Sequence, residues 1–99
     1  MSISERRKGL RGQQEVQRLL RAAGFELRKL GGEGDALATS PRGVRLHVET
    51  KRHERLRLPE WIAQAEAEAP GGTVPVVVFR QSGDKWYACL TLDAFAGMV

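Results

Sequence analysis

Val44-Arg45-Leu46-His47-Val48-Glu49-Thr50-Lys51 is the stretch whose reading decides the fold; it follows Gly34-Asp35 and a turn signal at Ser40-Pro41-Arg42-Gly43. Apolar and polar residues alternate through it, which is the period of a strand, so Glu49 and Lys51 project from one face and Val44, Leu46 and Val48 from the other. An acid and an amine are thus held side by side. As an ordinary ion pair on an exposed strand they would contribute only about 0.2–1 kcal/mol. If Asp35 comes from the adjacent strand, two carboxylates and one ammonium converge, the minimum equipment for holding a divalent metal beside a phosphodiester.

Outward from this stretch the chain reads as alternating elements. Residues 4–23 are expected to form a helix, with Ser4 as N-cap and Gly24 as the residue that closes it. Steps of 100° put Gly12, Val16, Leu19, Leu20 and Ala23 on one apolar stripe, with Glu15 at its edge and Lys8, Arg11 and Arg18 beside it. Residues 25–30 and 35–39 read as strands separated by the glycine-rich turn at 31–34, and the second forms a hairpin with residues 44–51 whose register can bring Asp35 near Glu49. Residues 52–57 are a basic loop, and Pro59 introduces a helix over 60–69 that Pro70-Gly71-Gly72 stops. The uninterrupted apolar run at 74–79 reads as a strand covered on both faces, followed by a turn, a strand over 85–92 and a short helix over 93–97. The order is helix, three strands, helix, two strands, short helix. An α/β packing around a five-stranded mixed sheet flanked by helices is expected, with residues 1–99 as one domain.

Composition bounds the function. The chain has 99 residues, 41% of them hydrophobic and 28% charged, which is ordinary globular composition. No apolar stretch approaches a membrane span and the N-terminus lacks the apolar core of a secretory signal, so a cytoplasmic protein is expected. The single Cys89 can make neither an intrachain disulfide nor a cysteine zinc site, and its apolar surroundings favour a buried, inert thiol. Residues 1–57 hold 14 Lys and Arg against 7 Asp and Glu, whereas residues 58–99 hold 2 against 5. The positive excess therefore lies in the half with the candidate site, and such a surface attracts polyanions through counterion release.

Gly34-Asp35 with Glu49-Thr50-Lys51, in this order of elements, resembles the PD-(D/E)XK nuclease superfamily. The opening Arg7-Lys8-Gly9-Leu10-Arg11-Gly12-Gln13-Gln14-Glu15, running on to Leu19-Leu20 and Gly24-Phe25, is similar to the archaeal-type Holliday junction resolvases. The likeness continues through Val48 to Lys51 and Gly71-Gly72-Thr73-Val74-Pro75-Val76. It implies a restriction-endonuclease-like core and a homodimer that cuts four-way DNA junctions symmetrically with Mg²⁺ or Mn²⁺. By this resemblance Glu15, Asp35, Glu49 and Lys51 fall on the catalytic positions. The sequence departs from the pattern at Gly34, where a Pro or bulky apolar residue often stands, and in Leu30-Gly31-Gly32-Glu33, which offers no counterpart to a serine of the family.

The chemistry then assigns roles. A metal held by Asp35 and Glu49, with the Thr50 carbonyl as a further ligand and Glu15 completing the shell, would neutralise the phosphodiester; Lys51 would orient water or meet the charge that develops. Lys8, Arg11, Arg52, Arg55 and Arg57 are expected phosphate contacts, which position DNA without reading its sequence. His47, on the face of Glu49, and His53, in the basic loop, read as structural or solvent-facing residues rather than ligands. Trp61, Trp86 and Tyr87 read as core or subunit-interface aromatics, and the region around Trp61 and Ile62 with residues 95–99 as an interface. No small-molecule cofactor and no membrane partner are expected. Rival readings are a nuclease of the same superfamily acting on other DNA structures in repair or restriction, and a basic DNA-binding module without catalysis.

Overall fold

The computed structural model describes residues 3–29 and 35–99; the side chains of residues 3–6, Lys8 and Asp35 are outside the described set. The turn at 31–34 lies outside the described residues, and Ser4, expected as the N-cap, falls within α1, which begins at Ile3. The elements are α1 (Ile3–Ala22), β1 (Glu26–Lys29), β2 (Asp35–Thr39), β3 (Arg45–Arg52), α2 (Leu58–Glu68), β4 (Val74–Arg80), β5 (Tyr87–Cys89) and α3 (Leu92–Met98), in the order read from the sequence.

The five strands form one sheet in the order β1-β2-β3-β4-β5. β1, β2 and β3 make an antiparallel meander, β3 and β4 are parallel, and β5 returns antiparallel to β4. The sheet is therefore mixed, and α2 is the crossover that parallel neighbours require. A tight turn fixes the β2–β3 register. Gly43 N–H donates to Ser40 O at 2.9 Å, the Val44 amide donates to Ser40 Oγ at 3.0 Å, and Gly43 takes φ +86°. From there Thr39 pairs with Arg45, and the ladder counts down to Asp35 opposite Glu49.

Each face of the sheet carries its own apolar cluster. On one, Val16 of α1 meets Ala38 and Val48, flanked by Leu20, Phe25, Leu27, Leu46, Val78 and Trp86. On the other, Trp61 and Ala65 of α2 meet Val77, flanked by Leu58, Ile62 and Phe79. Successive residues of β3 and β4 feed opposite clusters, as the pleat dictates. β4 is covered on both sides, as its apolar run suggested: Val76 and Val77 are both buried.

Three readings need correction. Leu19 and Ala23 are exposed, because the buried stripe of α1 narrows to Gly12, Val16 and the half-buried Leu20. β5 is shorter than residues 85–92, since β4 offers it ladder partners only from Val77 to Phe79. Trp61 is buried in the α2 cluster, so it is spent on the core rather than on an interface.

Candidate active site

β3 is the element that positions the site. His47 and Glu49 stand on its α2 face at 1% and 3% exposure, both deep in the sheet. Lys51, two residues further along the same face, is half-buried. A carboxylate taken this far from water is stabilised as an anion only by a nearby cation or by hydrogen bonds. The register sets Asp35 as the cross-strand partner of Glu49. The Asp35 side chain lies outside the described residues, so the alignment is one of backbone position.

α2 adds a group to this face. One ligand atom each from His47, Glu49 and Glu68 lies within 4.8 Å of the others. Gln64 Nε2 donates to Glu68 Oε1 at 3.1 Å, one helical turn back, and so helps hold the outer carboxylate. Two carboxylates and an imidazole are donors a divalent cation accepts, and one of the carboxylates is buried. The donor set thus fits a metal. The sequence reading set His47 aside and did not name Glu68. A signal for Glu68 was present, because it follows the buried Trp61 and Ala65 at helical spacing and therefore continues the sheet-facing stripe.

Glu15 has partners of its own. It projects from α1 on the opposite face of the sheet, where its Oε1 accepts from Arg80 Nη1 at 3.3 Å and from Trp86 Nε1 at 3.1 Å. The Arg80 guanidinium also sits over the Trp86 ring, 5.1 Å from its centroid. A closed triangle of carboxylate, guanidinium and indole results. Glu15 was expected to complete a metal shell; α1, which carries it, packs against the face of Val48, whereas Glu49 lies with His47 and Glu68 toward α2.

Thr50 is half-buried and follows Glu49 directly. Among the described residues the ladder with β2 ends at Asp35 and Glu49, so from Thr50 onward β3 pairs with β4 alone. Its carbonyl therefore stands at the end of the sheet where Asp35 begins.

The expected DNA contacts divide by position. Arg11 is exposed on α1, with Nε directed to Arg7 O at 3.4 Å, and the Lys8 side chain is outside the described residues. Arg55 and Arg57 are exposed in the loop after β3, where Arg57 pairs with Glu60 at 3.6 Å in open solvent, a weak interaction. That loop is anchored, since Gln81 Nε2 donates to Glu54 O at 2.6 Å and both the Ser82 hydroxyl and amide donate to the Glu54 carboxylate. His53 leans on Trp61 with ring centroids 5.3 Å apart. Arg52 is half-buried beneath α1 and sits opposite Arg80 in the parallel ladder. Arg80 was not among the residues singled out from sequence.

No family model matches the chain, and no curated protein matches it by sequence. Among solved structures it is similar to Hjc of Archaeoglobus fulgidus, a Holliday junction resolvase from an archaeal hyperthermophile. The TM-score is 0.61 at 21% identity, covering 84% of this chain and 72% of that one. The chain therefore has the fold of that nuclease, as the sequence motifs suggested. No helix among the described residues is long and apolar enough to cross a membrane.

Proposed function

We propose that the chain is a metal-dependent endonuclease that resolves four-way DNA junctions by paired phosphodiester cuts. The observation that carries this reading is the β2–β3 register, which sets Asp35 opposite a buried Glu49 with Lys51 next on the same face. The fold likeness to a junction resolvase and the basic first half of the chain support it.

Asp35, Glu49 and the Thr50 carbonyl would hold Mg²⁺ or Mn²⁺, with His47 and Glu68 near enough to Glu49 to share in holding it. When bound, such an ion neutralises phosphate charge and makes a coordinated water more acidic. Burial of Glu49 shields its carboxylate from bulk water, which would confine a cation held by it to one place. Lys51 would present its ammonium to the attacked phosphate, orienting water or offsetting the charge of the transition state. Arg11, Arg52, Arg55 and Arg57 would grip flanking phosphates.

A junction has approximate two-fold symmetry, and paired cuts require two sites related by a dyad, which a C2 dimer supplies. The helix α3 buries none of its side chains; its Leu92 and Phe95 and the Val99 that follows it stand at 79%, 48% and 87% exposure, a surface suited to a second copy.

The test is a cleavage gel on a four-way junction and on linear duplexes with the same arms, with Mg²⁺ and with EDTA. Junction-selective, Mg²⁺-dependent cutting is expected. Asp35→Asn and Glu49→Gln should each slow it roughly a hundredfold or more, because a metal site supplies several kcal/mol. Equal rates on junction and duplex would assign a different DNA structure as substrate. Binding with no cutting under any metal would leave a DNA-binding module.

A further inference from the structure

Arg52 and Arg80 are ladder partners at the ends of β3 and β4, on adjacent strands about 5 Å apart. Both lie on the α1 face. Arg80 is placed there by its contacts with Glu15 and Trp86. Arg52 is placed there by α1 itself, for a Cβ built on Gly12 would lie 3.5 Å from both Cβ and Cδ of Arg52. Two arginine side chains thus leave the same face of the sheet from adjacent ladder positions at its end.

Their counter-charge is incomplete. The single carboxylate that reaches the pair among the described residues is Glu15, and it meets Arg80 alone. The Arg52 side chain makes no hydrogen bond or ion pair among the described residues, and its Nε is enclosed, as is that of Arg80. Holding two like charges in a half-buried place with one anion, itself bound to Arg80, is unfavourable unless a further anion joins. Arginine is suited to that anion, because its planar fork matches the paired oxygens of a phosphate.

We infer that Arg52 and Arg80 form a binding site for a backbone phosphodiester of nucleic acid, on the face of the sheet opposite Glu49, with Glu15 and Trp86 as positioning residues for Arg80. The choice of a nucleic-acid phosphate rests on the nuclease reading. Arg80 is restrained on two sides, by Glu15 Oε1 at 3.3 Å and by the indole ring, and it engages Glu15 through Nη1, which leaves Nη2 for the ligand. Trp86 donates to the same Glu15 oxygen, so the guanidinium is set before any DNA arrives. Preorganisation of this kind lowers the ordering cost of binding. Arg7 and Arg11, exposed on the part of α1 that crosses here, extend the positive surface. The backbone would then pass around the ends of β3 and β4, with one phosphate held by the arginines and another at Lys51 on the far side.

The test is the salt dependence of binding to a labelled junction and to a duplex in EDTA, where cutting plays no part. Arg52→Gln and Arg80→Gln should each lower the slope of log affinity against log salt by about one, equally for unrelated sequences. Arg52→Lys should keep the slope. Wild-type slopes in Arg52→Gln would overturn the site, and because the Arg52 side chain has no hydrogen-bonding or ionic partner among the described residues, its variant remains readable if Arg80→Gln is unstable. Millimolar inorganic phosphate that saturates the pair while DNA slopes stay unchanged would also overturn it. A lowered slope with no Mg²⁺-dependent cutting would sink the nuclease reading and leave this one standing.

Discussion

At the scale of single residues, the two acids most alike in the sequence reading have different surroundings. Glu49 is buried beside His47 and Glu68, whereas Glu15 answers to Arg80 and Trp86 across the sheet. Their neutral variants should therefore behave differently. Glu15→Gln keeps an oxygen for the Trp86 N–H and loses only the charge paired with Arg80. Since both partners are partly exposed, at 19% and 33%, about 1 kcal/mol of stability should be lost. On the proposed reading, junction cutting by Glu15→Gln should fall less than tenfold, against roughly a hundredfold for Glu49→Gln, because Glu49 would be the buried metal donor. Side-by-side rates and melting curves check this, and parity of the two variants would return Glu15 to the metal. The placing of Glu49 and Lys51 was legible because strand alternation is local. The partners of Glu15 were not, since they lie 65 and 71 positions away and depend on how α1 crosses the sheet.

At the scale of elements, most boundaries follow from stop signals that chemistry imposes. α1 ends where Gly24 takes φ +91°, with Phe25 N–H donating to Leu20 O at 3.0 Å and Gly24 N–H to Arg21 O at 3.0 Å. This pair of bonds is a Schellman closure, and Phe25 packs with Leu20 in the α1 cluster. Any side chain at Gly24 meets the left-handed penalty, and a Cβ there would also lie 3.1 Å from Pro41 Cγ. Gly24→Ala should cost about 1–2 kcal/mol. A chemical melt would show it as a lower midpoint at unchanged slope. α2 was legible from Pro59 and from Pro70, whose preceding Ala69 is extended at φ −67° and ψ 128°. β5 was not legible in length. Residues 85 and 86 have the composition of a strand, yet an edge strand extends only as far as its neighbour, and Trp86 is claimed by Glu15 instead.

At the scale of the whole molecule, the two halves differ in charge and in what they leave uncovered. The basic half contains α1 and β3, while the less charged half ends in α3 with Leu92, Phe95 and Val99 in solvent. Tyr87, also exposed, stacks on Phe79 at 5.8 Å on the edge strand that precedes that helix in the chain. An aromatic and aliphatic surface of this kind suits self-association in a chain this short, which covers its apolar surface incompletely. Light scattering at micromolar concentration should give a dimer for the wild type and a monomer for Leu92→Asp combined with Phe95→Asp, with unchanged circular dichroism. Wild type at monomer mass would remove this surface from the proposal. The five-stranded α/β architecture was legible because each element carries its own period and punctuation. The assembly of the site was only half legible, because a strand period says which side chains share a side but not which helix covers it.

The Ser40–Gly43 turn has a reach beyond its four residues. It fixes the phase of β3, and in a pleated strand a shift of one position exchanges the two sides completely. One residue inserted there would turn Glu49 and Lys51 toward α1 and send Thr50 and Arg52 toward α2. The proposed cation-holding and anion-gripping surfaces would trade places while the strand itself stayed intact. A bend far from Glu49 thereby governs which side chains each side of the sheet presents.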